Sequence, residues 1–320
     1  MTRSKFIGSA GAIGLFCLMI IPNVGILIAT FLYPKVLGLY FLIPYYAYNL
    51  SIGKHEARDG NGWNWFSENF FVFNIVRGYL NLKIEADSEL KEAEAKEGAQ
   101  FVFAVSPHGT NADYRVFIDG MLHEALPQTA SKIRTLAATV LFHIPLVREI
   151  ALWTGCVDAS RAVAVERLKE EGGSLLVIPG GQAEQMYTQY GRERVYLKRR
   201  KGFLKLCLKY EIPVVPAYVF GVSDYYFTSA KLFGLRMWLV QNLGIALPLC
   251  WGRYGLPICP RPVDTTLVFD KPLYLSCQNP SNPSEDEVDK AHLQFCQALE
   301  KLFDTHKERL GYGDRKLEII

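Results

Sequence analysis

The stretch FVFAVSPHGTNAD, residues 101–113, carries the reading of the fold. FVFAV is an unbroken apolar run of strand length, rich in Phe and Val, and reads as a buried strand. Pro107 and Gly109 then open a turn with His108 between them, and Asp113 stands where the next helical pattern begins. A histidine just past a strand end sits where open α/β sheets bind their ligands.

Downstream of this stretch, short apolar runs alternate with helix patterns. A helix is expected from Tyr114 to Leu126, a strand at RTLAATV and a helix at IPLVREIALWTG. The next helix, AVAVERLKEEGG, has Asp158 and Ser160 as candidate caps and a glycine pair at its end. SLLVIPG reads as a strand, KGFLKLCLKY as a helix and IPVVPAYVFG as a strand; DKPLYLSC is expected as the last strand before a long amphipathic helix, VDKAHLQFCQALEKLFDTHKERLG. The alternation predicts an α/β fold, a mostly parallel sheet flanked by helices.

The amino-terminal part differs in character. No charge occurs between Lys5 and Lys35, and VLGLYFLIPYYAYNLSIG then runs uncharged to Lys54. About 20 apolar residues span a bilayer as a helix, so the first stretch is too long for the core of a signal peptide. Pro22 and Pro34 interrupt the apolar tract, and basic residues flank both ends: Arg3 and Lys5 before, Lys54 and Arg58 after. Positive charge favours the cytosolic face, so a membrane hairpin that enters and returns is expected, with the bulk of the chain facing the cytosol. GSAGAIG (8–14) has the glycines of a nucleotide loop but follows no strand. FFVFNIVRGYLNL is amphipathic, either a surface helix on the membrane or a core helix. DSELKEAEAKEG (87–98) reads as an exposed charged helix. MWLVQNLGIALPLCWG (237–252), uncharged for 16 residues and containing Pro248, reads either as an interfacial or re-entrant segment or as a core helix.

Composition narrows the function. Apolar residues make up 50% of the 320, and the net charge is +3, too small to argue for nucleic acid. Seven cysteines lie scattered without a CxxC pair, and no HExxH occurs, so neither a disulfide framework nor a zinc site is expected and no metal is assigned. There is no GxSxG elbow for a hydrolase.

Two constellations carry chemistry. A neutral imidazole acts as a base when a partner fixes one ring nitrogen. Asp113, one helical turn from His108, can supply that partner or can merely cap its helix. VIPGGQAEQ (177–185) also follows a strand, and so opens on the same sheet edge. Pro179, Gly180 and Gly181 there let backbone amides approach a developing oxyanion. Glu184 is a second candidate to orient His108, or else a solvated glutamate. The cluster KRRK (198–201) covers a solvated face or binds phosphates, with Arg199, Arg200 and Lys201 as ligands.

The order SPHG (106–109), RTLAATVLFHIPLVREIALWTGCVDASR (134–161), GGSLLVIPGGQAEQM (172–186), RRKGFLKLCLKYEIPVVPAYVFG (199–221) and KLFDTHKERLG (301–311) resembles the type-two diacylglycerol acyltransferase family, which also holds monoacylglycerol and wax-alcohol acyltransferases. The resemblance covers roughly residues 60–315 and implies acyl transfer from acyl-CoA to a lipid hydroxyl at the endoplasmic reticulum membrane. It implies a division into a membrane hairpin (1–54), an interfacial linker (55–98) and an acyltransferase domain (99–320). The family's His-Pro-His-Gly carries over as Pro107, His108 and Gly109, with Ser106 in place of the first histidine. The spacing from His108 to Asp113, and IPVVP (212–216), are similar to the wider glycerolipid acyltransferases, whereas PGGQAE replaces their Pro-Glu-Gly-Thr-Arg and favours a neutral acceptor. The expected partners are acyl-CoA as co-substrate, a neutral lipid (diacylglycerol first) and a membrane, which includes the lipid-droplet surface. No cofactor and no nucleic acid are expected, and a homo-oligomer is compatible with the reading. A lysophospholipid acyltransferase and a catalytically silent lipid-binding protein are the alternatives.

Overall fold

The computed structural model describes residues 3–60 and 62–320. Its centre is a seven-stranded sheet built from β1 (Lys83–Ala86), β2 (Val102–Ser106), β3 (Ile133–Ala137), β4 (Cys156–Asp158), β5 (Ser174–Val177), β7 (Val214–Phe220) and β10 (Thr266–Phe269). The spatial order is β1-β10-β7-β2-β5-β3-β4. From β7 to β4 all neighbours run parallel, while β10 is antiparallel to β7 and β1 parallel to β10. Two short pairs stand outside the sheet: β6 (Glu193–Val195) with β11 (Leu317–Ile319), and β8 (Phe227–Thr228) with β9 (Cys250–Trp251).

Every residue of β2, β5 and β7 is buried, which explains why these strands read as continuous apolar runs. Alternate side chains feed two cores. Phe103, Val105, Val215, Ala217 and Val219 point to one that includes Phe73, Val76 and Tyr114. Val102, Ala104, Val214, Tyr218 and Phe220 point to the other, beneath the helices Gly202–Tyr210 and Glu285–Lys307. The long helix begins at Ser284, whose hydroxyl and the Glu287 carboxylate cap each other's backbone amides. Its fully buried Phe303 lies parallel to Phe220 at 5.4 Å and edge-on to Tyr218 at 5.1 Å.

Several elements depart from the sequence reading. The expected final strand at DKPLYLSC makes only an isolated bridge, Leu273 with Val214, and the strand of the sheet lies earlier, at Thr266–Phe269. The three residues of β4 lie in the link between two expected helices, where Asp158 reads as a cap. Residues 114–125 form three short helical pieces rather than one. The 87–98 segment is not all solvated: its helix Ser88–Glu94 buries Leu90, Ala93 and Glu94. The Glu94 carboxylate accepts the backbone N–H groups of Gln128 and Thr129, each at 3.1 Å. The segment 71–79 is a core helix, with Phe73 and Val76 fully buried.

At the amino terminus one helix runs from Arg3 to Leu32, carrying Pro22 inside it. Among the described residues Lys5–Leu32 is the one helix long and apolar enough to cross a membrane. Its first turns pack on the helix Phe71–Tyr79, and GSAGAIG acts there as a close-packing face: a Cβ on Gly8 would stand 2.2 Å from the Tyr79 Cβ, and one on Gly11 2.8 Å from Ile75 Cγ2. After Tyr33 the chain continues through helical segments to Leu50.

Replacing Phe303 by Ala removes the ring that Tyr218 and Phe220 pack against. A loss of about 3–5 kcal/mol is expected for such a buried aromatic, read as a lowered unfolding midpoint of the detergent-solubilised protein; an unchanged midpoint would contradict this packing.

Candidate active site

Because β2 and β5 are parallel neighbours, the loops after them open on the same edge of the sheet. The first holds Pro107, His108 and Gly109; the second holds Pro179, Gly180 and Gly181 at the start of the helix Gly181–Tyr187. Glu184 joins them. Its carboxylate is 1% exposed and accepts two backbone N–H groups, that of His108 on Oε1 and that of Tyr196 on Oε2, the second at 2.6 Å. Glu184 therefore does not orient the imidazole through its side chain; it positions the backbone that carries it. Burial pushes the Glu184 carboxyl up to about 7, against the pull of the two amides and of the Arg200 charge.

The glycines follow from this clamp. A Cβ on Gly180 would lie 2.0 Å from Glu184 Oε2, and one on Gly109 2.2 Å from Val222 Cγ1. Gly109 is also held at φ +66°, a conformation glycine adopts without strain.

His108 is half-buried. Its Nδ1 lies 3.2 Å from the Gly109 carbonyl oxygen, a geometry that places the proton on Nδ1 and leaves Nε2 free to accept one. Burial lowers the imidazole from its ordinary 6.5 to about 4, so the ring is neutral at cellular pH. No hydrogen bond joins the ring to Asp113 among the described residues. Asp113 makes no side-chain cap either; burial raises its carboxyl to about 6, with Tyr226 beside it pulling the other way. Its Oδ2 is buried without a partner. Ser106, 1% exposed at the end of β2, also keeps an unpartnered hydroxyl.

Of the oxyanion candidates, the Gly181 amide is committed to the Ile178 carbonyl at 3.2 Å. The amides of Gly109 and Gly180 donate to no group among the described residues, so they are the donors left for a developing charge. Pro179 is half-buried on the same loop. The basic cluster divides. Arg200 reaches the site, with Nη2 3.4 Å from the Gly180 carbonyl and its guanidinium over the Tyr196 ring at 5.3 Å. Lys201 pairs with Asp289 of the long helix, and Arg199 faces solvent.

One supporting group escaped the sequence reading. Glu193, 1% exposed, accepts the Tyr218 hydroxyl at 2.7 Å, the Ser223 hydroxyl at 2.6 Å and Arg315 at 2.8 Å. It fixes the 221–225 turn, whose Val222 walls Gly109. In sequence Glu193 is one acid within the string RERVYLKRRK, and nothing distinguishes it from a surface residue.

A mostly parallel α/β sheet with a histidine loop and a glycine loop clamped together on one edge defines the class. More narrowly, the chain belongs to the diacylglycerol acyltransferase family, whose model matches residues 26–320. It is 26% identical over 253 residues to diacylglycerol O-acyltransferase 1 of Saccharomyces cerevisiae, covering 75% of this chain and 60% of that one. It is 31% identical over 262 residues to acyl-CoA wax alcohol acyltransferase 2 of Homo sapiens, covering 76% and 75%. The chain spans about half to three-fifths of the length of the fungal relatives it matches. Among solved structures, the crystal structure of the 1-acyl-sn-glycerophosphate acyltransferase PlsC from Thermotoga maritima covers 89% of this chain and 95% of its own, at 17% identity and a TM-score of 0.41.

Substituting Glu184 by Gln sets an NH₂ group against one of the two amides and strands it. A buried unsatisfied N–H costs about 1–3 kcal/mol. The variant is expected to unfold at lower denaturant; a wild-type midpoint would remove Glu184 from its positioning role.

Proposed function

We propose that this protein is a membrane-bound, acyl-CoA-dependent O-acyltransferase that esterifies a neutral lipid, with diacylglycerol as the leading acceptor and triacylglycerol as product. The observation that carries the reading is the neutral His108 imidazole, with Nδ1 on the Gly109 carbonyl and Nε2 free, held by the Glu184 clamp on the sheet edge. Nε2 takes the proton as the acceptor oxygen attacks the thioester carbonyl. The carbon–oxygen bond forms, the amides of Gly109 and Gly180 steady the oxyanion, and the carbon–sulfur bond breaks. The departing thiolate of coenzyme A recovers the proton from His108. No covalent enzyme intermediate and no cofactor are needed. Arg200, which lies 3.4 Å from the Gly180 carbonyl, is assigned the phosphates of coenzyme A on this reading.

The amino-terminal helix supports a hairpin that dips into one leaflet. Asn23 donates to the Pro145 carbonyl at 2.8 Å, and on the returning segment Tyr46 donates to the His143 carbonyl at 3.1 Å. Both limbs thus meet the same loop, and the tip between them is exposed and apolar but for Lys35, with Phe31 and Tyr40 exposed to 87% and 80%. From Asn23 to the helix end at Leu32 the outgoing limb rises roughly 14 Å at 1.5 Å per residue, near half of the ~30 Å hydrocarbon core. Such a tip suits the cytosolic leaflet of the endoplasmic reticulum and equally the single monolayer of a lipid droplet.

The acceptor is tested by offering labelled acyl-CoA with diacylglycerol, monoacylglycerol, fatty alcohol and lysophosphatidate: triacylglycerol is the expected main product, and a wax ester or phosphatidate would replace that acceptor. A general base contributes about 10²–10⁴-fold, so His108→Ala is expected to lose at least a hundredfold in kcat while staying folded. With the imidazole lowered to about 4, the acid limb of kcat/KM should fall well below pH 6.5; a limb at the ordinary imidazole value would contradict a buried base.

A further inference from the structure

The helix Phe233–Leu243 and the extended segment after it are largely apolar, with Gln241 and Asn242 the exposed polar side chains of the helix, and yet uncovered: Leu235 is 57% exposed, Trp238 51% and Leu247 51%. Between Lys231 and Arg253 the chain holds one charged residue, Arg236. Its guanidinium turns back into the protein and donates to the carbonyls of Lys231 at 3.0 Å and Ser229 at 2.8 Å. A helix facing water places its charges outward; this one hides its only charge and displays leucine and tryptophan. Exposed apolar surface of this extent marks a contact site.

Behind the helix lies a cleft of about 460 Å³, lined among others by Tyr187, Tyr190, Arg194, Phe227, Phe233 and Trp251. Its wall at Tyr187 belongs to the helix that carries Glu184. Tyr187, three residues beyond Glu184 on the same helix, stacks on Tyr196 at 5.3 Å and meets Phe233 edge-on at 5.3 Å. The Tyr196 amide is one of the two that hold the Glu184 carboxylate. Phe233, Tyr187 and Tyr196 thus form a row of rings from the apolar wall past the cleft, and the Tyr196 and His108 amides meet on the Glu184 carboxylate at its end.

Two observations choose a bilayer as the occupant. The first is the lack of outward charge over the whole segment. The second is its nearness to the apolar amino-terminal helix: the turn after the segment brings Pro260 to the Tyr79 hydroxyl, which donates to its carbonyl at 2.7 Å, and Tyr79 packs on Gly8 of that helix, beside the exposed Phe6 and Ile7. We propose that residues 232–251 lie in the same leaflet as the hairpin, and that the cleft behind them is the route by which a neutral lipid brings its hydroxyl from the bilayer to His108. The acyl chains stay against Phe227, Phe233 and Trp251, and Tyr187 and Arg194 meet the polar end. The route rests on the acyltransferase reading; the membrane contact does not.

Full-length protein in phosphatidylcholine vesicles containing diacylglycerol separates the two. With phosphatidylcholine brominated in its chains, Trp238→Phe is expected to remove part of the quenched tryptophan emission; unchanged quenching would overturn the membrane contact, whether or not the protein transfers acyl groups. The double variant Leu235→Glu/Trp238→Glu is expected to stay vesicle-bound through the hairpin, to raise KM for diacylglycerol at least tenfold and to leave KM for acyl-CoA within twofold. Ala230→Trp, narrowing the cleft from its exposed rim without adding charge, should give the same split. An unchanged KM for diacylglycerol in a folded Ala230→Trp variant, or an equal rise in both KM values, would overturn the route. Absence of any acyl transfer by the wild-type protein would instead strike the functional reading and leave the quenching result standing.

Discussion

A carboxylate sunk among apolar side chains must find donors, and Glu184 finds two backbone amides from different parts of the chain, His108 and Tyr196. The site depends on that constraint. It fixes the His108 loop to the helix after β5 and draws in the segment leading to the basic cluster. It also excludes any side chain at Gly180, where a Cβ would strike the carboxylate. Catalytic groups need placement to within fractions of an ångström, and here the placement comes from main-chain hydrogen bonds, not from a side-chain relay to the imidazole.

A second buried acid repeats the device one layer away. Glu193 ties Tyr218 of β7, Ser223 and Arg315 together, and so sets the turn that carries Val222 against Gly109. The parallel sheet brings strand ends to one edge, and the two glutamates lock the loops that leave it. Toward the amino terminus the principle changes from polar to steric: Gly8 and Gly11 let the long apolar helix lie close on Phe71–Tyr79.

The strands flanking the site were legible because both faces of β2, β5 and β7 are covered, which leaves uninterrupted apolar runs in the sequence. β4 was not, being three residues long, nor was β10, since the more strand-like DKPLYLSC lies just after it. His108, Gly109, Gly180 and Glu184 were legible as positions on two strand-end loops. Their relation was not. Sequence spacing left Asp113 as partner of the histidine or as a helix cap; a carboxylate one helical turn away points where its backbone sends it, and here that is beside Tyr226. Glu94 was read as solvated for a similar reason: its burial depends on amides of Gln128 and Thr129 more than thirty residues on.

By itself the sequence determined the α/β alternation and its buried central strands, the long apolar amino terminus and the residue types on the two strand-end loops, because each is written in local apolar period, in turn residues or in the lack of charge. Only the tertiary structure decided what each polar group does. Whether a glutamate faces water, orients a ring or holds a main-chain amide depends on which distant segment folds over it, and hydrogen bonds between such segments leave no periodic trace in the chain.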